Sequence, residues 1–187
     1  MQKIRMGVWA LIAMLTMVAC QDKKNNQNEQ LLTDAAEQQD QVPDSTIYGV
    51  CGEETGMHTL QVITLQGDTL QFVKDVDEEA AVHGGLMVGD KVAVIAHKNN
   101  DGEQVATTVV NITTLLGKWT SIDKNFELRE DGSIKSHVAA ESKVWTSWKL
   151  YNGKLLLNRD TFDIHTLGAD SLYLESREGI FTYARQK

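Results

Sequence analysis

The chain has 187 residues, a formal net charge of -8, a single proline and two cysteines. This length suits one or two small domains. The excess of acid repels phosphate backbones and argues against nucleic acid as a partner, and two cysteines are too few for a cysteine-rich metal site.

Residues 1–19 have the composition of a lipoprotein signal peptide. Lys3 and Arg5 give a basic start, and an apolar run follows from Val8 to Val18. The run is shorter than the roughly 20 apolar residues that a membrane-spanning helix needs. Small Ala19 before Cys20 resembles the lipobox of bacterial lipoproteins. We therefore predict that Cys20 is lipidated and begins the mature protein; an ordinary secretory signal that ends in cysteine is the alternative.

Residues 20–46 are predicted to form a flexible linker. The stretch from Gln21 to Gln30 has almost no apolar content and cannot bury enough surface to fold. Asp22 is the third residue of the predicted mature chain, whereas the aspartate of an inner-membrane retention signal stands second. We therefore expect a lipid anchor in the outer membrane, on either its periplasmic or its surface face. With Cys20 lipidated, Cys51 has no intramolecular partner and is expected to be buried in the first strand.

Residues 47–114 show the pattern of five strands and one short helix. Turn residues separate the strands, which are predicted at Ile47 to Cys51, Thr59 to Leu65, Thr69 to Lys74, Lys91 to Ala96 and Gln104 to Ile112. Between the third and fourth strands, Asp75 or Asp77 can cap a helix that continues through Ala81 and Val82 and ends at Gly84.

Three strands, a helix and two strands is the element order of the OB-fold, a five-stranded Greek-key barrel. The segment from Gly85 to Val92 resembles the junction between helix and fourth strand in OB-like barrels. Residues 47–112 carry three basic and ten acidic side chains, and their two aromatic residues, Tyr48 and Phe72, are both expected in the core. A basic groove and aromatic platforms are what single-stranded nucleic acid requires, so this class of ligand is not predicted.

Residues 115–187 alternate apolar and polar side chains, as the strands of an up-and-down antiparallel barrel do. Six pairs of apolar residues two positions apart share a face: Phe126 with Leu128, Trp148 with Leu150, Leu155 with Leu157, Phe162 with Ile164, Leu172 with Leu174, and Phe181 with Tyr183. Asn152-Gly153 predicts a two-residue hairpin turn. The predicted fold class is therefore all-β, with an OB-like barrel followed by a second small antiparallel barrel.

The second segment also resembles a known family. Gly117-Lys118-Trp119 resembles the Gly-x-Trp motif that opens lipocalins, and the segments from Phe126 to Gly132 and from Trp148 to Leu155 are similar to recurrent segments of the bacterial lipocalin-like lipoproteins. The resemblance covers residues 115–187, which are fewer than a full lipocalin has. It implies an antiparallel barrel or half-barrel that holds a small apolar molecule.

Four aromatic residues are the candidates for contact with such a molecule: Trp119, Trp145, Trp148 and Tyr183. Two alternatives remain open. Trp119 can instead be a plug that closes one end of the barrel, and side chains can fill the interior of so small a barrel completely.

The sequence predicts neither an enzyme nor a cofactor or metal site. The five histidines lack the spacing of metal ligands, and no nucleophile elbow or phosphate loop occurs. Three segments, Asp44-Ser45-Thr46, Asp68-Thr69-Leu70 and Asp170-Ser171-Leu172, resemble the acceptor of a bacterial periplasmic O-glycosylation system. Of these, the first lies in the predicted linker.

The sequence therefore leads to two functional hypotheses. The first is a membrane-anchored envelope lipoprotein that binds a small apolar or amphipathic ligand in its lipocalin-like barrel. The alternative is an interaction or scaffold lipoprotein with filled barrels that binds an envelope protein or a glycan. A lipocalin-like and OB-like pair also resembles an envelope-stress and copper-responsive lipoprotein family. Its domain order is reversed here and its Cys-x-x-Cys motif is missing, so metal sensing is not predicted.

Overall fold

A computed structural model describes residues 42–74, 81–138 and 144–186. From Pro43 onwards the described chain forms one compact unit of two small β-barrels, which confirms the predicted fold class. The predicted signal peptide, Cys20 and most of the predicted linker lie outside the described residues. Within the described ranges, no helix is long and apolar enough to cross a membrane.

The first barrel follows the strand order expected of an OB-fold. Its strands are β1 (Ile47–Cys51), β2 (Thr59–Thr64), β3 (Thr69–Lys74), β4 (Ala81–His83), β5 (Lys91–Lys98) and β6 (Gln104–Asn111). Strand β1 lies between β2 and β5 and is antiparallel to both, and β6 is antiparallel to β5. Parallel pairing of β3 with β6 closes the barrel.

The core of this barrel comes from alternate residues of its strands. Its innermost side chains include Leu60, Val62, Phe72, Val92 and Val94. Cys51 is buried as expected. Burial, with a contribution from the Asp90 charge, raises the pKa of its thiol to about 11, although Lys74 opposes the shift. The thiol is therefore protonated at neutral pH and poorly nucleophilic.

The predicted helix between the third and fourth strands is wrong at Ala81 and Val82. Ala81, Val82 and His83 form β4, which pairs in parallel with Thr108 to Val110 of β6. The physical reason is the sheet edge that β3 leaves open, because its pairing with β6 ends at Ala106. Unpaired backbone groups at that edge favour an added strand over a helical turn. The predicted helix start, at 75–80, lies outside the described residues.

The second barrel is an antiparallel meander. Its strands are β7 (Gly117–Thr120), β8 (Asn125–Leu128), β9 (Ile134–Ser136), β10 (Trp148–Tyr151), β11 (Lys154–Leu157), β12 (Asp160–Leu167), β13 (Ser171–Ser176) and β14 (Gly179–Arg185). Each strand from β10 to β13 pairs with the next strand along the chain, and β14 pairs with β7. Strand β7 then pairs with β8, and β8 with β9. Between β9 and β10 the sheet continues only through a bridge from Ser133 to Ser147, so the barrel is nearly closed.

A one-turn helix, α1 (Ile112–Leu115), connects the barrels where the sequence predicted the end of a strand and a loop. Asn111 caps it, because its Oδ1 accepts a hydrogen bond from the Thr114 amide at 3.0 Å. The Asn111 amide nitrogen also donates to Asp90 Oδ2 at 2.7 Å and to the Gly85 carbonyl at 3.0 Å. This buried polar side chain is thus fully hydrogen-bonded and holds the helix start against the first barrel.

The meander gives the second barrel two distinct ends. Because successive strands run in opposite directions, the turns at 129–133, 152–153 and 168–170 lie at one end, which we call the proximal end. The connections at 121–124, 158–159 and 177–178 lie at the other, the distal end.

Candidate functional site

The first barrel closes the proximal end. Ala93 and Val110 of the first barrel belong to the same buried cluster as the interior residues of the second. Lys91 forms an ion pair with Glu130 in the proximal turn at 129–133. The Tyr48 hydroxyl donates to the Leu150 carbonyl at 2.9 Å. Tyr48 is therefore not in the core, as the sequence predicted, but on the outside of the first barrel, where it contacts the second.

Trp119 fills the interior beside this closed end. Its side chain is fully buried, and its indole nitrogen donates to the Leu115 carbonyl at 2.8 Å. The Arg185 guanidinium carbon lies 4.1 Å from the centre of a Trp119 ring. Arg185 also donates to the carbonyls of Leu116, at 2.8 Å, and Thr114. This geometry agrees with the plug interpretation of Trp119.

Leucine side chains occupy the middle of the second barrel. They are almost completely buried and come from β8, β10, β11 and β13: Leu128, Leu150, Leu155, Leu157, Leu172 and Leu174. They pack in one continuous cluster with Trp119. Side chains therefore fill this part of the interior, as in other small barrels.

An aromatic cluster lies towards the distal end. Phe126 contacts Trp145 and Tyr183 edge to face, with ring centroids 5.2 and 5.1 Å apart. Phe162 extends the cluster, at 5.8 Å from Trp145 and 6.0 Å from Phe181. Edge-to-face packing of this kind stabilises a fixed arrangement of rings. Burial raises the pKa of Tyr183 to about 12, so its hydroxyl is neutral under ordinary conditions.

An open cavity of about 1480 Å³ lies over this cluster, and we call it the distal groove. Trp145, Phe162, Phe181 and Tyr183 supply its aromatic surface, and half-exposed Ile180 extends that surface to solvent. Charged side chains at or beside the three distal connections also line it: Asp123, Lys124, Arg159, Asp160, Arg177 and Glu178. The cavity continues along exposed residues of β13 and β14 as far as Asp170 in the turn at 168–170. The groove thus combines an apolar floor with a charged rim.

Contacts with neighbouring charges hold Trp145 in the floor. The Lys124 ammonium lies 4.3 Å from the centre of a Trp145 ring, and the indole nitrogen donates to Asp160 Oδ2 at 3.4 Å. A cation over an indole ring and a carboxylate at its nitrogen both restrict the ring. Trp145 is therefore held in place beneath the groove, with 7% of its surface exposed.

The structure brings two of the four predicted ligand residues together. Trp145 and Tyr183 both line the distal groove, whereas Trp119 does not line it and is hydrogen-bonded to Leu115 of α1. Trp148 is half-buried, and its indole nitrogen donates to the Arg129 carbonyl at 2.7 Å, near the proximal turn at 129–133. Two of the four predicted residues therefore lie outside the groove.

Sequence reasoning missed other groove residues. Phe162 and Phe181 were assigned to the apolar face of their strands but not to a site, because alternation identifies the face and not the end of the barrel. Arg159 and Arg177 lie in short turns and had no motif around them.

The structure also describes the Asp44-Ser45-Thr46 segment and the side chains of the types that bind metal ions. Ser45 of the Asp44-Ser45-Thr46 segment donates its hydroxyl hydrogen to Asn152 Oδ1 at 2.9 Å. Among the described residues, no group of three or more histidine, cysteine, aspartate or glutamate side chains has the arrangement of a metal site.

Comparisons of the chain with protein-family models, curated proteins and solved structures returned no match. The similarity to the lipocalin-like lipoproteins consequently rests on the short motifs of residues 115–187 alone.

Proposed function

We propose that this protein is a non-enzymatic lipoprotein of the bacterial cell envelope that binds a small amphipathic ligand in the distal groove. The observation that carries the proposal is an open cavity that lies over an aromatic cluster beneath a charged rim, with partly buried Phe181 and exposed Ile180 as its accessible apolar surface. Ligand sites in proteins commonly combine a mainly apolar, concave surface with a few polar groups that fix orientation.

The groove is a better candidate than a deep interior calyx. The leucine-filled middle and the closed proximal end occupy the volume in which an enclosed ligand would lie. A ligand at the distal end needs no displacement of these buried side chains. We therefore place the proposed ligand over Phe162 and Phe181.

Attachment to the outer membrane through lipidated Cys20 is part of the same proposal. It is supported by the basic start, the apolar run and the Ala19-Cys20 junction of the sequence. Metabolic labelling with an alkyne fatty acid tests it. Label should enter the wild-type protein and be lost in Cys20→Ser, and equal labelling of both would contradict lipidation at this residue.

Ligand binding is tested by native mass spectrometry of the protein purified from its native membrane after enzymatic removal of the lipid. A co-purifying small molecule is expected. Ile180→Asp places a charge on the apolar lip of the groove and should strongly reduce the amount that is retained. Ile63→Asp is the matched control, since Ile63 is also an exposed strand isoleucine but lies on the first barrel.

Retention of the same mass by wild type, Ile180→Asp and Ile63→Asp would place the ligand outside the groove. Absence of any co-purifying mass, together with no binding of added amphiphiles, would contradict ligand binding altogether.

A second candidate is an interaction or scaffold lipoprotein that binds an envelope protein or a glycan. The observation that favours it is the set of strongly exposed apolar side chains on the first barrel: Met57, Leu65, Met87 and Val88. Exposed apolar residues often mark contact surfaces. In-cell crosslinking and pull-down, with Met87→Asp as the variant, test this candidate; a partner whose recovery is unaffected by every such substitution would not use this surface.

A further inference from the structure

We infer that the ligand of the distal groove is an amphipathic anion whose acidic head lies between Arg159 and Arg177. The inference rests on the proposed binding in this groove and adds the charge class of the ligand. Nothing in the short motifs of the sequence indicates it, because the two arginines belong to different turns.

The strand register brings the arginines together. Arg159 immediately precedes β12, and Arg177 immediately follows β13. Asp163 pairs with Glu175, and continuing this antiparallel register by two residues places Thr161 beside Arg177. Arg159 is two residues from Thr161, so the two arginine Cα atoms are about 8 Å apart at ordinary strand spacings. Both side chains line the groove, and both are exposed.

The two guanidinium groups are free to bind an anion. Ion pairs within the described residues occupy other side chains: Lys91 with Glu130, Arg129 and His137 with Glu127, and Lys154 with Asp163. Neither Arg159 nor Arg177 takes part in an ion pair or a side-chain hydrogen bond in this part of the chain.

The nearby carboxylates have other positions or partners. Asp160 accepts from the Trp145 indole, and Asp123 lies in the 121–124 loop beyond β14. Glu178 follows Arg177 directly and forms no ion pair with either arginine among the described residues. A pair of guanidinium groups suits a carboxylate, sulfate or phosphate head, because each presents a planar set of donors to two oxygens.

The apolar part of the ligand has a surface beside the arginines. Phe162 follows Arg159 by three residues, and its ring centroid is 6.0 Å from that of Phe181. Ile180 is 57% exposed at the same rim. An acidic head at the arginines therefore places a short attached chain over these apolar side chains. The proposed occupant is thus a monomeric amphiphile rather than an anionic membrane surface.

The experiment uses the mature chain from residue 20 with Cys20→Ser, so that no detergent is present. Sodium decanoate and 1-decanol, which share their chain and differ in head charge, are titrated separately while the tryptophan fluorescence is recorded. Decanoate should bind about tenfold more tightly, and added sodium chloride should weaken its binding and leave that of decanol unchanged.

Substitutions then locate the charge preference. Arg159→Gln with Arg177→Gln should abolish the tenfold preference and leave the decanol affinity unchanged. Arg129→Gln is the matched control, because Arg129 lies in the proximal turn at 129–133 outside the groove. Arg159→Lys with Arg177→Lys keeps both charges and should retain part of the preference. It also serves as the second test if the glutamine variant does not fold.

Three other outcomes would overturn the inference in distinguishable ways. Equal affinity for decanoate and decanol, unaffected by the arginine substitutions but lost in Ile180→Asp, removes the anion and leaves the groove. No binding of either compound removes the proposed function as well. Binding to phosphatidylglycerol vesicles without binding to monomeric decanoate makes the occupant a membrane surface instead.

Discussion

At the scale of single residues, Trp119 and Arg185 join three parts of the second barrel. The Trp119 indole reaches α1 through the Leu115 carbonyl, and Arg185 of the last strand stacks on its ring. Arg185 also donates to the Thr114 and Leu116 carbonyls. A short helix leaves several carbonyls without intrahelical partners, and this guanidinium supplies donors to them.

Replacing Trp119 with alanine should strongly destabilise the protein. The substitution removes a fully buried aromatic side chain and its hydrogen bond, and losses of about 3–5 kcal/mol are typical of such changes. Urea denaturation measures the free energy of unfolding. Trp148→Ala is the control, because Trp148 is only half-buried and should cost less. Equal losses would show that Trp119 has no special role in closing the barrel.

His83 provides a prediction about pH. Burial, with the nearby His165 charge, lowers the pKa of His83 below its ordinary value of 6.5. The folded protein therefore binds this proton less tightly than the unfolded chain does. Above pH 6.5 both states are neutral and His83 has no effect, whereas stability should fall as the pH drops below 6.5. The decrease should level off once the pH is below the folded pKa.

Denaturation series at pH 7.5, 6.5 and 5.5 test this sign. The loss of stability between pH 6.5 and 5.5 should be smaller in His83→Asn than in wild type. His97→Asn is the control, since His97 is an exposed residue of β5. A pH dependence that is identical in all three proteins would mean that His83 contributes nothing to it.

At the scale of elements, the segment 43–46 is attached to the β10–β11 turn. Asn152 Oδ1 accepts from the Ser45 amide at 2.8 Å and from the Ser45 hydroxyl at 2.9 Å. The Asn152 side-chain nitrogen donates to the Pro43 carbonyl at 3.2 Å, and its backbone amide donates to Thr46 Oγ1 at 3.0 Å. The chain that enters β1 of the first barrel is thereby bound to the second.

Asn152→Gly isolates the contribution of this side chain. Asn152 has a φ of +48°, which glycine adopts without strain, so the turn should keep its conformation. We expect a loss of about 1–2 kcal/mol from the missing hydrogen bonds. A double-mutant cycle with Ser45→Ala should show coupling. Strict additivity of the two substitutions would indicate that the contact does not stabilise the folded protein.

At the scale of the whole described unit, the two barrels share buried residues. Ala93 and Val110 pack in the cluster that fills the second barrel, although their strands belong to the first. The Asn152-Gly153 turn adds a close contact, since a Cβ on Gly153 would lie 3.3 Å from Thr108 Cγ2. Elements that share a core are expected to unfold together.

Tryptophan fluorescence can test this coupling, because Trp119, Trp145 and Trp148 all belong to the second barrel. Val62→Ala leaves a cavity in the first barrel's own core, far along the chain from these reporters. If the barrels unfold as one unit, the midpoint that fluorescence reports should fall, and it should coincide with the midpoint from circular dichroism. A fluorescence midpoint that Val62→Ala does not change would show that the barrels unfold separately.

Local sequence patterns account for much of this architecture. Turn residues between β-rich segments predicted the strands of the first barrel. Alternation of apolar and polar residues predicted those of the second, because a pleated strand turns successive side chains to opposite faces. Asn152-Gly153 predicted its hairpin, since both residues tolerate a positive φ. Burial of Cys51, Phe72 and Trp119 also agrees with the sequence analysis.

Contacts between residues far apart in the sequence determined three features that local patterns did not predict: β4, α1 and the position of Tyr48. Ala81 to His83 became a strand because an edge of β6 was open, and α1 formed where Asn111 could cap it. Tyr48 lies outside the core, where its hydroxyl donates a hydrogen bond to the Leu150 carbonyl of the second barrel.

The candidate site shows the same division. The sequence by itself determined that Phe162, Phe181 and Tyr183 lie on apolar faces, since that follows from a two-residue period. Only the tertiary structure decided that these residues meet at the distal end, that the first barrel closes the proximal end, and that Arg159 and Arg177 share one rim. Strand pairing and barrel closure set these positions, and both join residues that local patterns along the chain do not relate.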